Sequence, residues 1–445
     1  LDTEKLQYLS SWARHQAEDI ILPFWTSDYI VDHENGGFYG LVTKDMVASN
    51  DEARGLTLTG RMLFAFSTAY RVFHRSLYLE KAAYTCRYLL SYFRDKEYGG
   101  AFTTVSETGE VLGDDKPNYC EAFYIMGLSA FVRAVSDAKD RKDTPSLTYA
   151  KIDRELEETA LSEALKTAYL MESKAKYGPS RYFNNMTRDW HKAEGMGFGK
   201  IKTRPSAAIH FPEDAIMFPH HLCQSYVQLY LCSGEPMILQ ALSEMIEFAS
   251  TMMYDPARHC FKTILGPSGE RYGTNQSFGH DCEISYLILK VADLVGNDKL
   301  TGQVKVVCED VLHTILNRDF DPWGGLYNGC EFEGTAVKPD SLSPSHIWWA
   351  EAEAVTAMLC GYELTRDQKY LDACIRQADY LNRFFVNRTY GDWYSNVEVT
   401  EKGSKIVDGM HGTDKLNTGK CPFHNSQMCF EVIWRTQRML QRVKE

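Results

Sequence analysis

The feature that most limits what this chain can fold into is an alternation. Runs with apolar residues at the 3.6-residue helical period recur along its length, and short segments of aromatic residues and glycine separate alternate runs. The spacing predicts helices over Leu6 to Phe24, Leu56 to Phe73, Leu77 to Phe93, Tyr119 to Val135, Leu156 to Leu170 and Ala215 to Cys232. It predicts six more over Met237 to Met253, Glu283 to Val295, Leu300 to Leu316, Ile347 to Leu364, Leu371 to Phe385 and Ser426 to Val443. The glycine segments include Asn35-Gly36-Gly37-Phe38-Tyr39-Gly40, Tyr98-Gly99-Gly100-Ala101-Phe102, Trp323-Gly324-Gly325-Leu326-Tyr327 and Gly391-Asp392-Trp393-Tyr394. Weaker forms stand at Tyr177-Gly178 and at His259-Cys260-Phe261-Lys262. Turn signals such as Ser106-Glu107-Thr108-Gly109 follow several of them, as in a hairpin.

Two helices per unit, repeated six times, bury their apolar faces best by closing into a ring. The predicted fold is therefore all-α, an (α/α)6 barrel of about twelve helices with short β-hairpins in its connections, one domain over residues 1–445. An open solenoid is the alternative, but it shows stricter repeats and polar end caps. The charged stretch from Ser136 to Glu158 is expected to be a mobile insertion, and Lys192 to Pro212 a long loop near the pocket.

Composition narrows the partners. A net charge of −12, with no basic run, argues against nucleic acid or an anionic membrane surface. No apolar run approaches the roughly 20 residues that span a bilayer. Leu1-Asp2-Thr3-Glu4-Lys5 is polar and acidic, unlike a signal peptide. The 12 cysteines fall mostly inside apolar helical patterns without a CxxC pair, which predicts buried thiols and a cytoplasmic location.

Three histidines stand at the starts of helical runs in different repeats: His221, His280 and His424. His280 and Glu283 are three apart, so a helix puts them on one face, in a first turn where its dipole favours a carboxylate. A histidine beside a carboxylate at a helix mouth suits general base work. Other polar groups open helices at comparable places: Arg54 and Arg61, Lys116 and Tyr119, and Trp348, Trp349, Glu351 and Glu353. Aromatic rings with a few charged groups suit a sugar. Glu351 and Glu353 are about 200° apart around a helix, which argues against a glycosidase pair. Cys421 with His424 and Cys429 could suggest zinc, but the spacing lacks the second half of a zinc motif.

The chain resembles the N-acylglucosamine 2-epimerase family, and within it the cellobiose 2-epimerases. The resemblance rests on Pro23-Phe24-Trp25, Glu34 to Gly40, Arg54-Gly55 with Arg61, Tyr98-Gly99-Gly100, Lys116 with Tyr119, Gly279-His280-Asp281-Cys282-Glu283, Trp348-Trp349 with Ala352-Glu353, Trp393-Tyr394-Ser395 and Lys420-Cys421-Pro422-Phe423-His424-Asn425. It implies an (α/α)6 barrel that epimerises C2 of a reducing sugar, or interconverts aldose and ketose, without metal or nucleotide. By the same resemblance His280 and His424 match the acid/base histidines, and Glu283 the carboxylate that supports the first. His221 matches a residue that helps open the sugar ring or binds its oxygens, and Arg61 the arginine on the C1 carbonyl. Tyr119, Trp349 and Glu353 match pocket residues; Arg54, Lys116, Glu351, Asn425 and Trp393 are placed with them as substrate-binding. The chain departs from the pattern at Arg54, Gln224, Glu351, Gly419 and Gln427, and His220 is an added histidine. A tryptophan missing at 419 removes a stacking surface, which weakens the case for a disaccharide. The expected assembly is a monomer or homodimer. Alternatives are an aldose–ketose isomerase, a glycoside hydrolase or lyase of the same architecture, and a sugar-binding protein that no longer turns over.

Overall fold

The computed structural model describes residues 2–50, 52–193, 216–266, 268–409 and 412–442. Its helices, in chain order, are α1 Thr3–His15, α2 Leu22–Thr26, α3 Leu56–Phe73, α4 Ser76–Tyr92, α5 Asn118–Asp140, α6 Thr144–Tyr149, α7 Arg154–Leu170, α8 His220–Ser233, α9 Pro236–Phe248, α10 Phe278–Val295, α11 Asp298–Arg318, α12 Trp348–Thr365, α13 Gln368–Phe384 and α14 His424–Gln441. Small two- and three-stranded antiparallel sheets lie in the connections. All twelve cysteines are free thiols. No helix among the described residues is long and apolar enough to cross a membrane.

By contact the chain divides into two units. One comprises Thr26–Met245 with Asp414–Phe423. In it α5 packs between α3 and α8, while α4 backs α3 and α7 backs α5. The close approach of α3 and α5 needs glycine: a Cβ on Gly60 would lie 2.5 Å from the Phe123 carbonyl oxygen. The other unit comprises Leu1–Trp25, Ile246–Thr413 and His424–Glu445. There α12 packs between α10 and α14, and α11, α13 and α1 back them in turn. Within each unit, then, one row of helices carries a second row, as paired helices require.

The expected insertion from Ser136 to Glu158 is helical instead. It forms the end of α5, all of α6 and the start of α7. Asp143 accepts from the Ser146 amide and Asp153 from the Leu156 amide, so the charged residues of this stretch include two helix caps. Most of the Lys192 to Pro212 loop lies outside the described residues.

A repeated buried strut fixes where the helices begin. In the Tyr98 segment, Asp95 Oδ1 accepts from the Glu97 and Tyr98 amides, and Lys116 Nζ reaches Asp95 Oδ2 at 3.0 Å. Glu121, the fourth residue of α5, takes the Ala101 amide at 3.1 Å. In the Trp323 segment, Asp321 accepts from the Trp323 and Gly325 amides, and His346 bridges Asp321 and Glu351. Glu351, the fourth residue of α12, takes the Leu326 amide at 3.1 Å. Around Phe261, Asp281 of α10 takes the Phe261 amide at 2.8 Å, with Gln276 donating to it at 2.7 Å. Arg54 pairs with Asp32 and donates to Tyr88 at 3.0 Å. Asn425 donates to Asp392 at 2.7 Å. Each strut ties a tight turn to the start of the following helix, so backbone groups that would otherwise be orphaned are satisfied.

These struts are buried, and burial moves their protons. It pushes Glu121 up to about 7 and Asp281 up to about 8. Burial opposes the charge on His346, but Asp321 and Glu351 outweigh it and hold the imidazole up at about 10. A raised carboxyl stabilises the fold while protonated, and a raised imidazole while charged. Both contributions are lost as pH rises through the folded values. His220, lowered to about 4 by burial, acts in the opposite sense only below its ordinary value of 6.5. The melting temperature should therefore fall between about pH 6.5 and about pH 9, as scanning calorimetry would show. Lys116 and Asp95 are both wholly buried. Lys116→Met strips one cation from Asp95 and should cost about 3 kcal/mol in a urea unfolding curve.

Candidate active site

The unit built on α10, α12 and α14 brings together five of the residues singled out from sequence. His280 is the third residue of α10 and His424 the first of α14. The half-buried indole of Trp349 touches both: its ring lies 5.0 Å from His280 and 5.6 Å from His424, centroid to centroid. This packing explains Gly279, where a Cβ would meet the Trp349 ring at 2.6 Å. Trp348, the next residue back, is wholly buried and packs edge-on against His424 at 5.6 Å.

His424 Nδ1 lies 2.6 Å from Glu353 Oε1, with both groups buried. The carboxylate orients the ring, and with the proton on Nδ1 the basic lone pair is on Nε2. Glu283 belongs to the same cluster: carboxylate oxygens of Glu283 and Glu353 and a ring nitrogen of His424 lie within 4.8 Å of one another. Two carboxylates this close to an imidazole can balance the charge it gains on taking up a proton. His280 is half-buried, and its Nδ1 lies 2.7 Å from Ser277 Oγ. In the tautomer that donates from Nδ1, its Nε2 also carries the lone pair. Tyr286, one turn after Glu283 on α10, is buried and receives a hydrogen bond from Gln427 at 2.5 Å. Sequence reasoning passed over Tyr286, although its spacing from Glu283 puts both on one helix face.

The unit built on α3, α5 and α8 holds a second group. Arg61, buried on α3, donates to the Tyr119 hydroxyl at 2.7 Å. Its guanidinium lies 4.2 Å from the Phe123 ring centre and 5.1 Å from that of Phe423. Cys421 Sγ is 3.5 Å from Arg61 Nη1. His221, the second residue of α8, packs at 5.0 Å on Tyr119 and 4.9 Å on Phe123. Its neighbour His220 lies against it at 4.0 Å, the two rings tilted by 48°. Aromatic rings thus hold a guanidinium and an imidazole in fixed orientations, through cation–π and edge contacts. Sequence reasoning missed Phe123 and Phe423; the step from Tyr119 to Phe123, one helical turn, was the available signal.

Other residues assigned to the sugar are engaged elsewhere. Arg54, Lys116, Glu351 and Asn425 belong to the struts. Trp393 is wholly buried and donates to Gln16 at 2.9 Å. Each sits near a helix start, as the sequence pattern indicates, but its side chain is committed to holding that start.

Known proteins resemble the chain over most of its length. The family model for N-acylglucosamine 2-epimerase (GlcNAc 2-epimerase) matches residues 36–186 and 238–415. The cellobiose 2-epimerase of Ruminococcus albus is 25% identical over 423 residues, covering 95% of this chain and 97% of its own. The D-mannose isomerase of Marinomonas mediterranea is 20% identical over 399 residues, covering 89% and 91%. The solved structure of the cellobiose 2-epimerase from Bacillus thermoamylovorans B4167 superimposes with a TM-score of 0.79 at 25% identity, over 96% of this chain and 99% of that one. The fold class is accordingly the (α/α)6 barrel. The chain belongs to the N-acylglucosamine 2-epimerase family, a family of isomerases.

Proposed function

We propose that this protein is a metal-independent carbohydrate 2-epimerase acting on the open-chain aldose at the reducing end of a mono- or disaccharide. The observation that carries the reading is the pair of imidazoles, His280 and His424, in contact with one indole, the second anchored to Glu353.

The chemistry asks for these groups. A proton on C2 beside an aldehyde is weakly acidic, so a base must be positioned against it. A histidine, with an ordinary pKa of about 6.5, can take that proton and give one back near neutrality. One histidine removes the C2 proton as the electron pair moves into the C1 carbonyl, leaving a planar cis-enediolate. The other returns a proton to the opposite face of C2, and the carbonyl reforms with C2 inverted. Arg61 takes the negative oxygen, where a fixed guanidinium lowers the barrier. His221 assists ring opening through the sugar oxygens, and Tyr119 and Trp349 supply surfaces for the sugar. Glu283 and Glu353 stabilise the imidazolium that forms.

A second reading uses the same intermediate. If the proton returns to C1 and the C2 hydroxyl oxygen becomes the carbonyl, the product is a ketose. The likeness to a D-mannose isomerase supports it.

Incubation in D2O with a panel of reducing mono- and disaccharides, read by NMR, tests both. Epimerisation should place deuterium at C2 of the epimer; isomerisation should place it at C1 of the ketose. No exchange with any of them would overturn the proposal, and loss of turnover on adding a chelator would overturn its metal independence. Two bases on opposite faces carry a sharper consequence. His280→Asn and His424→Asn should each cut net epimerisation about a thousandfold, while each still exchanges C2 of one epimer, a different epimer in the two variants.

A further inference from the structure

Helix α10 starts at Phe278, and Ser277 is the residue that caps it. A serine at this position ordinarily turns its hydroxyl back to accept from an amide of the first turn. Asp143, Asp153, Asn297 and Asp367 make such bonds at the starts of α6, α7, α11 and α13. Ser277 makes none. Its Oγ lies instead 2.7 Å from Nδ1 of His280, three residues on. The hydroxyl that would serve the helix is given to the ring.

The backbone that carries this hydroxyl is pinned. Ser277 ends the strand Asn275–Ser277, where it pairs with Gly329 of the antiparallel strand Gly329–Glu333. The pairing is close: a Cβ on Gly329 would lie 2.0 Å from the Gln276 carbonyl oxygen. The Phe278 amide donates to the Asn328 carbonyl at 3.2 Å. The imidazole is thus held at Nδ1 by a group on a sheet, while the Trp349 indole lies against its ring at 5.0 Å.

We propose that Ser277 is a positioning residue for His280, holding the ring through Nδ1 so that Nε2 is the atom that takes and returns the C2 proton. The catalytic meaning of this contact rests on the role given to His280 above; the contact itself does not. With a proton on Nδ1 the ring donates to Oγ, and the lone pair is on Nε2. When Nε2 takes the C2 proton, the ring becomes an imidazolium with two N–H groups. The electron pair of the broken C–H bond moves toward the C1 carbonyl, and the Nδ1 proton stays on Oγ. One hydrogen bond therefore serves both states, and the ring need not turn between taking a proton and giving it back. A hydroxyl is neutral, so it orients the imidazole without adding a charge beside it. His424 is oriented differently, by the Glu353 carboxylate at 2.6 Å.

The test reads the ring itself. In the full-length protein carrying 15N-labelled histidine, the His280 signals are identified by their loss in His280→Asn. At a pH where the ring is neutral, they should show the proton on Nδ1. Ser277→Ala removes the acceptor, and the proton should redistribute toward Nε2. The rate of C2 exchange at saturating sugar should then fall about ten- to a hundredfold, with KM changing less than about twofold. Ser277→Thr keeps a hydroxyl on Cβ and should restore both the proton position and the rate. A cap alone would lower the melting temperature in Ser277→Ala and leave the proton where it was. A neutral ring protonated at Nε2 in the unaltered protein overturns the inference, whatever the variants do. So does an unmoved proton in Ser277→Ala, or the same displacement in Ser277→Thr as in Ser277→Ala. Absence of C2 exchange in the unaltered protein would overturn the epimerase reading and leave the proton positions to decide this one.

Discussion

One interaction sets the rest: a buried acid in the first turn of a helix taking the amide of a residue that follows a tight turn. Glu121, Asp281 and Glu351 do this for α5, α10 and α12. A helix start has unsatisfied amides of its own, and a tight turn has others. Tying one to the other removes a cost and fixes the rotation of the helix about its axis. Once Asp281 is pinned, the residue before it and the residue two after it have fixed directions. They are His280 and Glu283. The same offsets from Glu351 give Ala350 and Glu353, and from Asn425 they give His424 and Gln427.

The candidate site is thus a by-product of regular architecture. Helix starts that must be held for stability also present side chains at fixed offsets, and those offsets carry the imidazoles and carboxylates. His424 leans on Glu353, His280 on Ser277, and both on Trp349. In the other unit, Arg61 lies among Tyr119, Phe123 and Phe423, rings that hold a cation without neutralising it.

Much of this was legible in the chain. Helical periodicity and the recurring glycine segments gave paired helices and the barrel, and histidines at helix starts singled out His280 and His424, which the structure brings against one indole. What was not legible was the division of labour among polar residues at those starts. Arg54, Lys116 and Glu351 read as sugar ligands because a charge at a helix mouth looks the same in sequence whether it faces a pocket or an aspartate. The distinguishing signal was the aspartate itself. Asp32, Asp95 and Asp321 each stand shortly before a pair of glycines, and each is matched to a basic residue just upstream of the next helix. The charged stretch after Ser136 misled for a related reason: caps such as Asp143 and Asp153 raise polarity without loosening the chain.

The struts differ in chemistry from place to place. One is guanidinium on carboxylate, one ammonium on carboxylate, one an imidazole shared by two acids, one amide to acid. A scaffold whose fasteners differ in kind, and are each local, has no single fastener on which the others depend. Residues beside any one of them can be exchanged while the remainder hold the ring of helices in place. A chain built this way can change at its rim and acquire a new preference for a sugar without first having to rebuild its frame.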